Sequence, residues 1–394
     1  MKPRVVAGFI LVTVIVIVAA LVTVADRYWI QRTVATEAPF PGLLDRINEV
    51  AMIEIQTDNG STIIERADSG WKMTNKGGYP VQAEKARLTA IGFGELTFTE
   101  PKTAREDRYK RLGVSAPGTG DPKAKLVTLK NTDGEEMAQL IVGKRRDSRL
   151  STQPGYYVRL PGEAQSWFAP AAFEIPDNAA FWLEPRIIHV NAKRIAQITT
   201  VQPDGDTLVI AKETPQSPHF EFKNLPPGKE LKGEAVADDM DTIVTAIDLV
   251  DVQPESEVTF SENAWHTDIK TFDGLDIRFD IVMRGEEPWV RLSAKAGEPR
   301  VDRAAQPEFV QKFLKTDAEV AAEVEQINAR TEGWAYLLQG HQGEKMKAPL
   351  EIFLEDETAL QSGANDDGGG FGGFMPGGMG QDAPPMGTEP LSPQ

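Results

Sequence analysis

The stretches Val127–Val142, VTLKNTDGEEMAQLIV, and His266–Val282, HTDIKTFDGLDIRFDIV, read as the same object met twice. In each, apolar and polar residues alternate on either side of a central Asp-Gly, the pattern of two antiparallel strands joined where glycine tolerates a positive φ. Leu126 to Leu129 and Met137 to Val142 flank Thr132-Asp133-Gly134, and Trp265 to Thr271 and Leu275 to Val282 flank Phe272-Asp273-Gly274. These two hairpins anchor the reading of the whole chain.

Working outward, a similar series surrounds each hairpin. Upstream of the first, Met52, Ile53 and Ile55 lead through Asp58-Asn59-Gly60 to Thr62, Ile63 and Ile64, and Gly70-Trp71-Lys72-Met73 follows as a short strand. Upstream of the second, Ile195 to Thr200 and Thr207 to Ile210 flank Pro203-Asp204-Gly205, and Phe220 and Phe222 alternate where Trp71 and Met73 stood. A helix separates the hairpins of each series. One starts near Gln82 with Ala86, Leu88 and Ile91 apolar, and Gly92 and Gly94 should shorten it. The other is expected over Glu234 to Val250, where Val236, Met240, Ile243, Val244 and Ile247 fall on one helical face. Downstream, Tyr157-Val158-Arg159-Leu160 is echoed by Trp289-Val290-Arg291-Leu292. The order predicts an internal duplication, each copy an antiparallel sheet with a helix on one face, an α+β layer pair.

Two further segments complete the body. Trp167 to Pro185 is aromatic and proline-rich and reads as a connector. Pro307 to Arg330 reads as a helix, and Gly333-Trp334-Ala335-Tyr336 resembles Gly70-Trp71-Lys72-Met73 closely enough to begin a truncated third copy.

The N-terminus sets the layout. Val5 to Val24 is an uncharged run of Val, Ile, Leu, Ala, Thr, Phe and one Gly. At ~1.5 Å per residue such a helix is roughly 30 Å long, the thickness of a bilayer core. Tyr28 and Trp29 beyond it suit the membrane interface. A buried core helix would be shorter and carry polar residues. A cleaved signal peptide is the rival reading, with Thr23-Val24-Ala25 a fair cleavage site, although its apolar region is normally ~7–15 residues. The run reads best as an uncleaved signal anchor. Lys2 and Arg4 give a short basic tail, against Arg27 and Arg32 on the far side, and place the body outside the cytoplasm, in the periplasm of a bacterium. The expected organisation is a cytoplasmic tail over 1–4, the span over 5–24, a linker over 25–44, a first unit over 45–165 and a connector over 166–190. A second unit over 191–300, a helix with a partial unit over 301–360 and a tail over 361–394 complete it. That tail, rich in Gly, Pro and Met, lacks Lys and Arg and cannot bury enough surface to offset its ordering entropy, which predicts disorder.

Composition excludes several chemistries. Of 394 residues, none is cysteine, so disulfides, thiolate metal sites and thiol catalysis are absent. A net charge of −17 repels nucleic acid. His189, His219, His266 and His341 are far apart, with no partner at i+3 or i+4, and read as structural or surface residues. Asp238, Asp239 and Asp241 form the densest acidic group. They are expected to favour the positive end of the helix they begin rather than calcium. Trp71, Trp265 and Trp289 alternate with polar residues as core-facing strand positions do. No nucleophile elbow or phosphate loop is present, so no catalytic, cofactor or metal residue is assigned.

The pattern resembles a bacterial domain-of-unknown-function family of membrane-anchored periplasmic proteins found beside gliding-motility-type ABC transporters. The residues that carry the likeness are Gly70-Trp71-Lys72-Met73 with Tyr79-Pro80-Val81-Gln82, Tyr109-Lys110-Arg111-Leu112-Gly113-Val114, Leu140-Ile141-Val142-Gly143 before Tyr157-Val158-Arg159, and the late Gly333-Trp334-Ala335-Tyr336. It implies an accessory envelope protein that works with a transporter. With the anchor and the lack of a recognisable active site, the expectation is a non-catalytic protein whose partners are the inner-membrane bilayer, through residues 5–24, and a membrane protein such as an ABC transporter subunit. A glycan- or lipid-binding module outside the cytoplasm is the alternative expectation, and an unrecognised hydrolase a third.

Overall fold

The computed structural model describes residues 38–147, 153–261 and 264–355. Among these, no helix is long and apolar enough to cross a membrane. The expected span Val5 to Val24, its interface residues Tyr28 and Trp29, and the tail over 361–394 lie outside the described residues.

Nineteen strands are described. The first sheet is built from β1 (Val50–Thr57), β2 (Gly60–Ala67), β3 (Gly70–Met73), β4 (Tyr79–Pro80), β5 (Glu100–Pro101), β6 (Lys125–Asn131), β7 (Glu136–Arg146), β8 (Gly155–Arg159) and β9 (Ser166–Pro170). After β10 (Arg186–Ile188) come β11 (Ile195–Val201), β12 (Thr207–Ala211), β13 (Glu221–Phe222), β14 (Ile247–Asp248) and β15 (Asp251–Pro254). Then follow β16 (Trp265–Thr271), β17 (Leu275–Arg284), β18 (Glu287–Ala296) and β19 (Trp334–Leu337). Strands β10 and β14 pair with each other.

The two large sheets have one strand order. The first runs β4-β3-β2-β1-β6-β7-β8-β9-β5 and the second β13-β12-β11-β16-β17-β18-β19-β15, so only β4 lacks a counterpart. Their irregularities coincide too. The β1–β6 ladder slips between Val50 and Met52, and the β11–β16 ladder between Ile195 and Gln197. The Asn75 side chain takes the Ile63 N–H and donates to the Ser61 carbonyl, and Asn224 does the same for Val209 and Thr207. Both sheets are antiparallel, and the architecture is sheet-rich α+β.

The alternation read from the sequence sets the inner faces. Ile53, Ile55, Ile64, Val127, Leu129 and Leu140 in the first sheet, and Ile198, Ile210, Ile269, Ile277, Phe279 and Ile281 in the second, join one continuous core. The helix Ala83–Gly94 closes the first sheet by burying Ala86, Thr89, Ala90 and Phe93. Its glycines serve close approach: a Cβ on Gly92 would lie 2.2 Å from the Phe173 ring, and one on Gly94 2.6 Å from Leu44. The run Tyr79-Pro80-Val81-Gln82 is a junction. Gln82 donates to the Phe181 and Leu183 carbonyls, and the Tyr79 ring meets Trp334 edge-on at 5.0 Å. Burial pushes the Tyr79 phenol up to about 12, so it stays neutral there.

Four expectations need correction. Glu234 to Val250 is not one helix: a 3-10 turn over Asp238–Asp241 and a helical turn over Thr242–Thr245 give way to β14 and β15. Met240, Ile243, Val244 and Ile247 of the apolar stripe are buried as read and Val236 is partly covered, but the run Thr242-Ile243-Val244-Thr245 is β-branched, a poor helix former. Extended Ala246 leads into Ile247 and Asp248, which pair with β10. Pro307 to Arg330 is broken into helices Glu308–Gln311 and Asp317–Thr331, because Thr316 and Glu319 make a capping box that starts a new helix. The segment over 166–190 is only partly a connector, since its first residues are β9. Gly333-Trp334-Ala335-Tyr336 begins no third copy. Trp334 to Leu337 is β19, paired with β18 and β15, the counterpart of β9.

Candidate functional site

The outer face of the second sheet carries the densest set of ionic contacts described. Register places His266 of β16 opposite Asp280 of β17, and Asp280 opposite Arg291 of β18. With Ile269, Ile277, Phe279 and Ile281 committed inward, period-two alternation turns Arg278, Asp280 and their neighbours outward. The Asp280 carboxylate then meets three partners: His266 Nδ1 at 2.6 Å, Arg278 Nε at 3.1 Å and Arg291 Nε at 2.9 Å. Arg291 donates its other arm to Glu255 at 2.6 Å and stacks 4.8 Å from the Phe260 ring.

Burial alone would push the Asp280 carboxyl up, but the hydrogen bonds from Arg291, His266 and Arg278 outweigh it and hold the group below the usual carboxylate range. Burial likewise opposes the charge on Arg291, and its bonds to Asp280 and Glu255 carry its pKa above the ordinary value. Beside this network lies a cavity of about 430 Å³ lined by Glu255, Asp280, Arg291, Ser293, Asn328 and Glu332, among others.

The first sheet shows what this place holds without the charges. By the same register, Leu126 stands opposite Ile141 and Ile141 opposite Arg159. There Leu126 and Ile141 join Tyr109, Leu112, Val114 and Tyr157 in a small apolar cluster under the segment between β5 and β6. Arg159 lies 4.5 Å from the Tyr109 ring and donates to the Val114 and Glu163 carbonyls. One unit seals this position with apolar side chains; the other exposes a compensated network of carboxylates, guanidinium groups and an imidazole.

Such a network can hydrogen-bond and orient a polar partner. Three donors occupy Asp280, which leaves it poorly suited to taking a proton from a substrate. Among the described residues no group of three or more His, Asp or Glu converges as metal ligands.

The histidines singled out in the sequence stand apart. His189 Nδ1 meets the Thr245 carbonyl, His219 Nδ1 is 2.6 Å from Asp238, His266 belongs to the network, and His341 is exposed on the helix Gly340–Met346. The acidic group is divided among partners as well. Asp238 holds His219 and the Phe220 N–H, and Asp239 pairs with Lys345 at 2.7 Å. Burial raises the Asp241 carboxyl. These residues start a single 3-10 turn rather than a long helix, so the expected dipole of an extended helix is not what they serve. Trp289 is buried, and Trp71 and Trp265 pack against the core partly covered. Sequence reading missed Asp280, Arg278 and Glu255. The available signal was Asp276-Ile277-Arg278-Phe279-Asp280, charges of alternating sign on one strand face between inward apolar residues.

A family model described as "Domain of unknown function (DUF4340)" matches residues 71–259. The matched segment starts in β3 and ends before β16, so it crosses from one sheet into the other, and it supports a domain-of-unknown-function family. No curated protein and no solved structure matches the chain.

Proposed function

We propose that this chain is a non-catalytic, membrane-anchored accessory protein of the bacterial envelope. Residues 5–24 tether it to the inner membrane, the body lies in the periplasm, and it binds a membrane protein such as an ABC transporter subunit. The observation that carries this reading is the pair of same-order sheets fused through one core, with the Asp280–Arg291–Glu255 network lining a cavity on the outer face of the second. Duplicated, rigidly packed sheets offer contact surface, and carboxylates already held by guanidinium groups favour recognition over turnover. The apolar run Val5 to Val24 and the likeness to anchored periplasmic proteins supply the location and the transport setting. Affinity purification of the full-length chain from solubilised membranes tests it. An integral membrane protein should co-purify in fixed ratio, and recovery of soluble cytosolic proteins alone would sink the proposal.

A second reading rests on the cavity of about 430 Å³, a size that suits a small polar ligand. As a glycan or lipid binder, the protein would gain thermal stability from envelope extracts through binding to the folded state alone.

A further inference from the structure

The two sheets differ at one more place, and it borders the same cavity. In the first sheet, β8 and β9 pair along their whole length, from Gly155↔Pro170 to Arg159↔Ser166. In the second, the β18–β19 register holds only Trp289↔Leu337 and Val290↔Tyr336, after which the strands part. The far end of the wedge is closed by a side chain: Asn328 takes the Ala294 N–H at 2.9 Å and donates to the Ala294 carbonyl at 2.8 Å, as a neighbouring strand would. Along an antiparallel strand, alternate residues turn both main-chain groups to the same edge. Val290 and Ala294 therefore fix the direction of Leu292 between them. Its N–H and C=O face the wedge, with β19 already diverged on one side and Asn328 spent on Ala294 on the other. Leu292 lines the cavity, opposite Thr331, Glu332 and Gly333.

The charges around the wedge are unequal. Glu255, Asp280 and Glu332 line it against a single guanidinium, that of Arg291, which already serves Glu255 and Asp280. Glu332 is exposed at the rim.

Building on the partner-binding reading, we propose that this wedge receives a short extended segment of the partner protein carrying a lysine or arginine. The segment's main chain pairs with Leu292 in the interrupted ladder, and its cation settles against Glu332 and Glu255. A strand edge supplies main-chain hydrogen bonds and the flanking carboxylates supply selectivity, the division of labour in strand addition.

The test uses the full-length protein in detergent and a capped, labelled peptide of alternating valine and lysine. Three comparisons accompany it: the same peptide N-methylated at alternate residues, a valine–glutamate peptide, and the parent peptide with the Glu332→Lys protein. Saturable binding of the parent, weakened about tenfold or more in each comparison, is the expected result. Equal binding of the N-methylated peptide removes the ladder, and equal binding to Glu332→Lys removes the charge contact; either overturns the proposal, as does a parent peptide that fails to saturate. Because Glu332 is exposed, its substitution leaves the core intact. Membrane purification separates the two levels. If Glu332→Lys recovers the membrane partner in wild-type yield, the wedge is wrong and the partner reading stands. If the wild-type chain recovers no membrane partner, both fall.

Discussion

Arg159 and Arg291 hold the same position in two sheets of the same strand order, yet Arg159 donates to main-chain carbonyls and Arg291 to carboxylates. The difference follows from what lies opposite each. Ile141 offers Arg159 no charge, so the guanidinium turns to main-chain carbonyls, that of Val114 in the covering segment and that of Glu163 in the turn between β8 and β9. Asp280 offers Arg291 a carboxylate within the sheet itself. Two sheets of one strand order thus use a cation at the same position in two ways, and the candidate site lies on the second.

Asp280 should make stability depend on pH. Its folded-state pKa is depressed below the unfolded value of about 3.9. The network's contribution is therefore fully present above that value and lost as pH falls through the folded-state pKa. Asp280→Asn should cost about 2 kcal/mol at neutral pH, because hydrogen bonds to charged donors are weakened. Urea unfolding of both proteins across the acid range should show the gap closing below about pH 4. A gap that stays constant down to pH 2 would assign the loss to packing.

The buried ion cluster around Arg194 is a structural demand. Arg194 is 2.8 Å from Asp273 and 2.8 Å from Glu323, and joins the β16–β17 turn to the helix Asp317–Thr331. Burial opposes its charge, and its bonds to Glu323 and Asp273 overcome that. Arg194→Met should destabilise the protein by about 3–5 kcal/mol, since two carboxylates are left without this cation. Thermal or denaturant unfolding reads it directly, and a loss under about 1 kcal/mol would show that Lys315 and Thr271 suffice to hold the carboxylates.

Gly92→Ala reverses an ordinary rule. In an exposed helix the change would stabilise by about 1 kcal/mol. Here the new methyl group would meet the buried Phe173 ring at 2.2 Å, and overpacking of this kind costs about 1–3 kcal/mol. A net loss is expected, partly restored when Phe173→Leu is added. A gain in Tm from Gly92→Ala alone would show that the ring moves aside freely.

The turns were legible because their chemistry is local: Gly60, Gly134, Gly205 and Gly274 all take positive φ where the sequence demanded it. The repeated succession of hairpins along the chain was legible through those turns, whereas the strand order within each sheet needed the pairing itself. The segment over 234–250 was not, because residues spaced like Met240, Ile243, Val244 and Ile247 can be buried by a 3-10 turn followed by a strand as well as by a helix. Tertiary pairing with β10 settled that choice. The identity of β19 depended on contacts with β15 and β18, far away in sequence. The candidate site was hidden for the same reason. His266, Asp280 and Arg291 become neighbours only once the register of three strands is fixed, and each alone looks like an ordinary strand-face residue.

The proposal as a whole depends on a body held outside the cytoplasm by Val5 to Val24. The chain has no cysteine, and Ser69 is exposed in the turn between β2 and β3, so Ser69→Cys introduces a single thiol at the surface. In intact spheroplasts a membrane-impermeant thiol reagent should label it to the same extent as after lysis. Labelling that appears only after lysis would place the body in the cytoplasm and contradict the account.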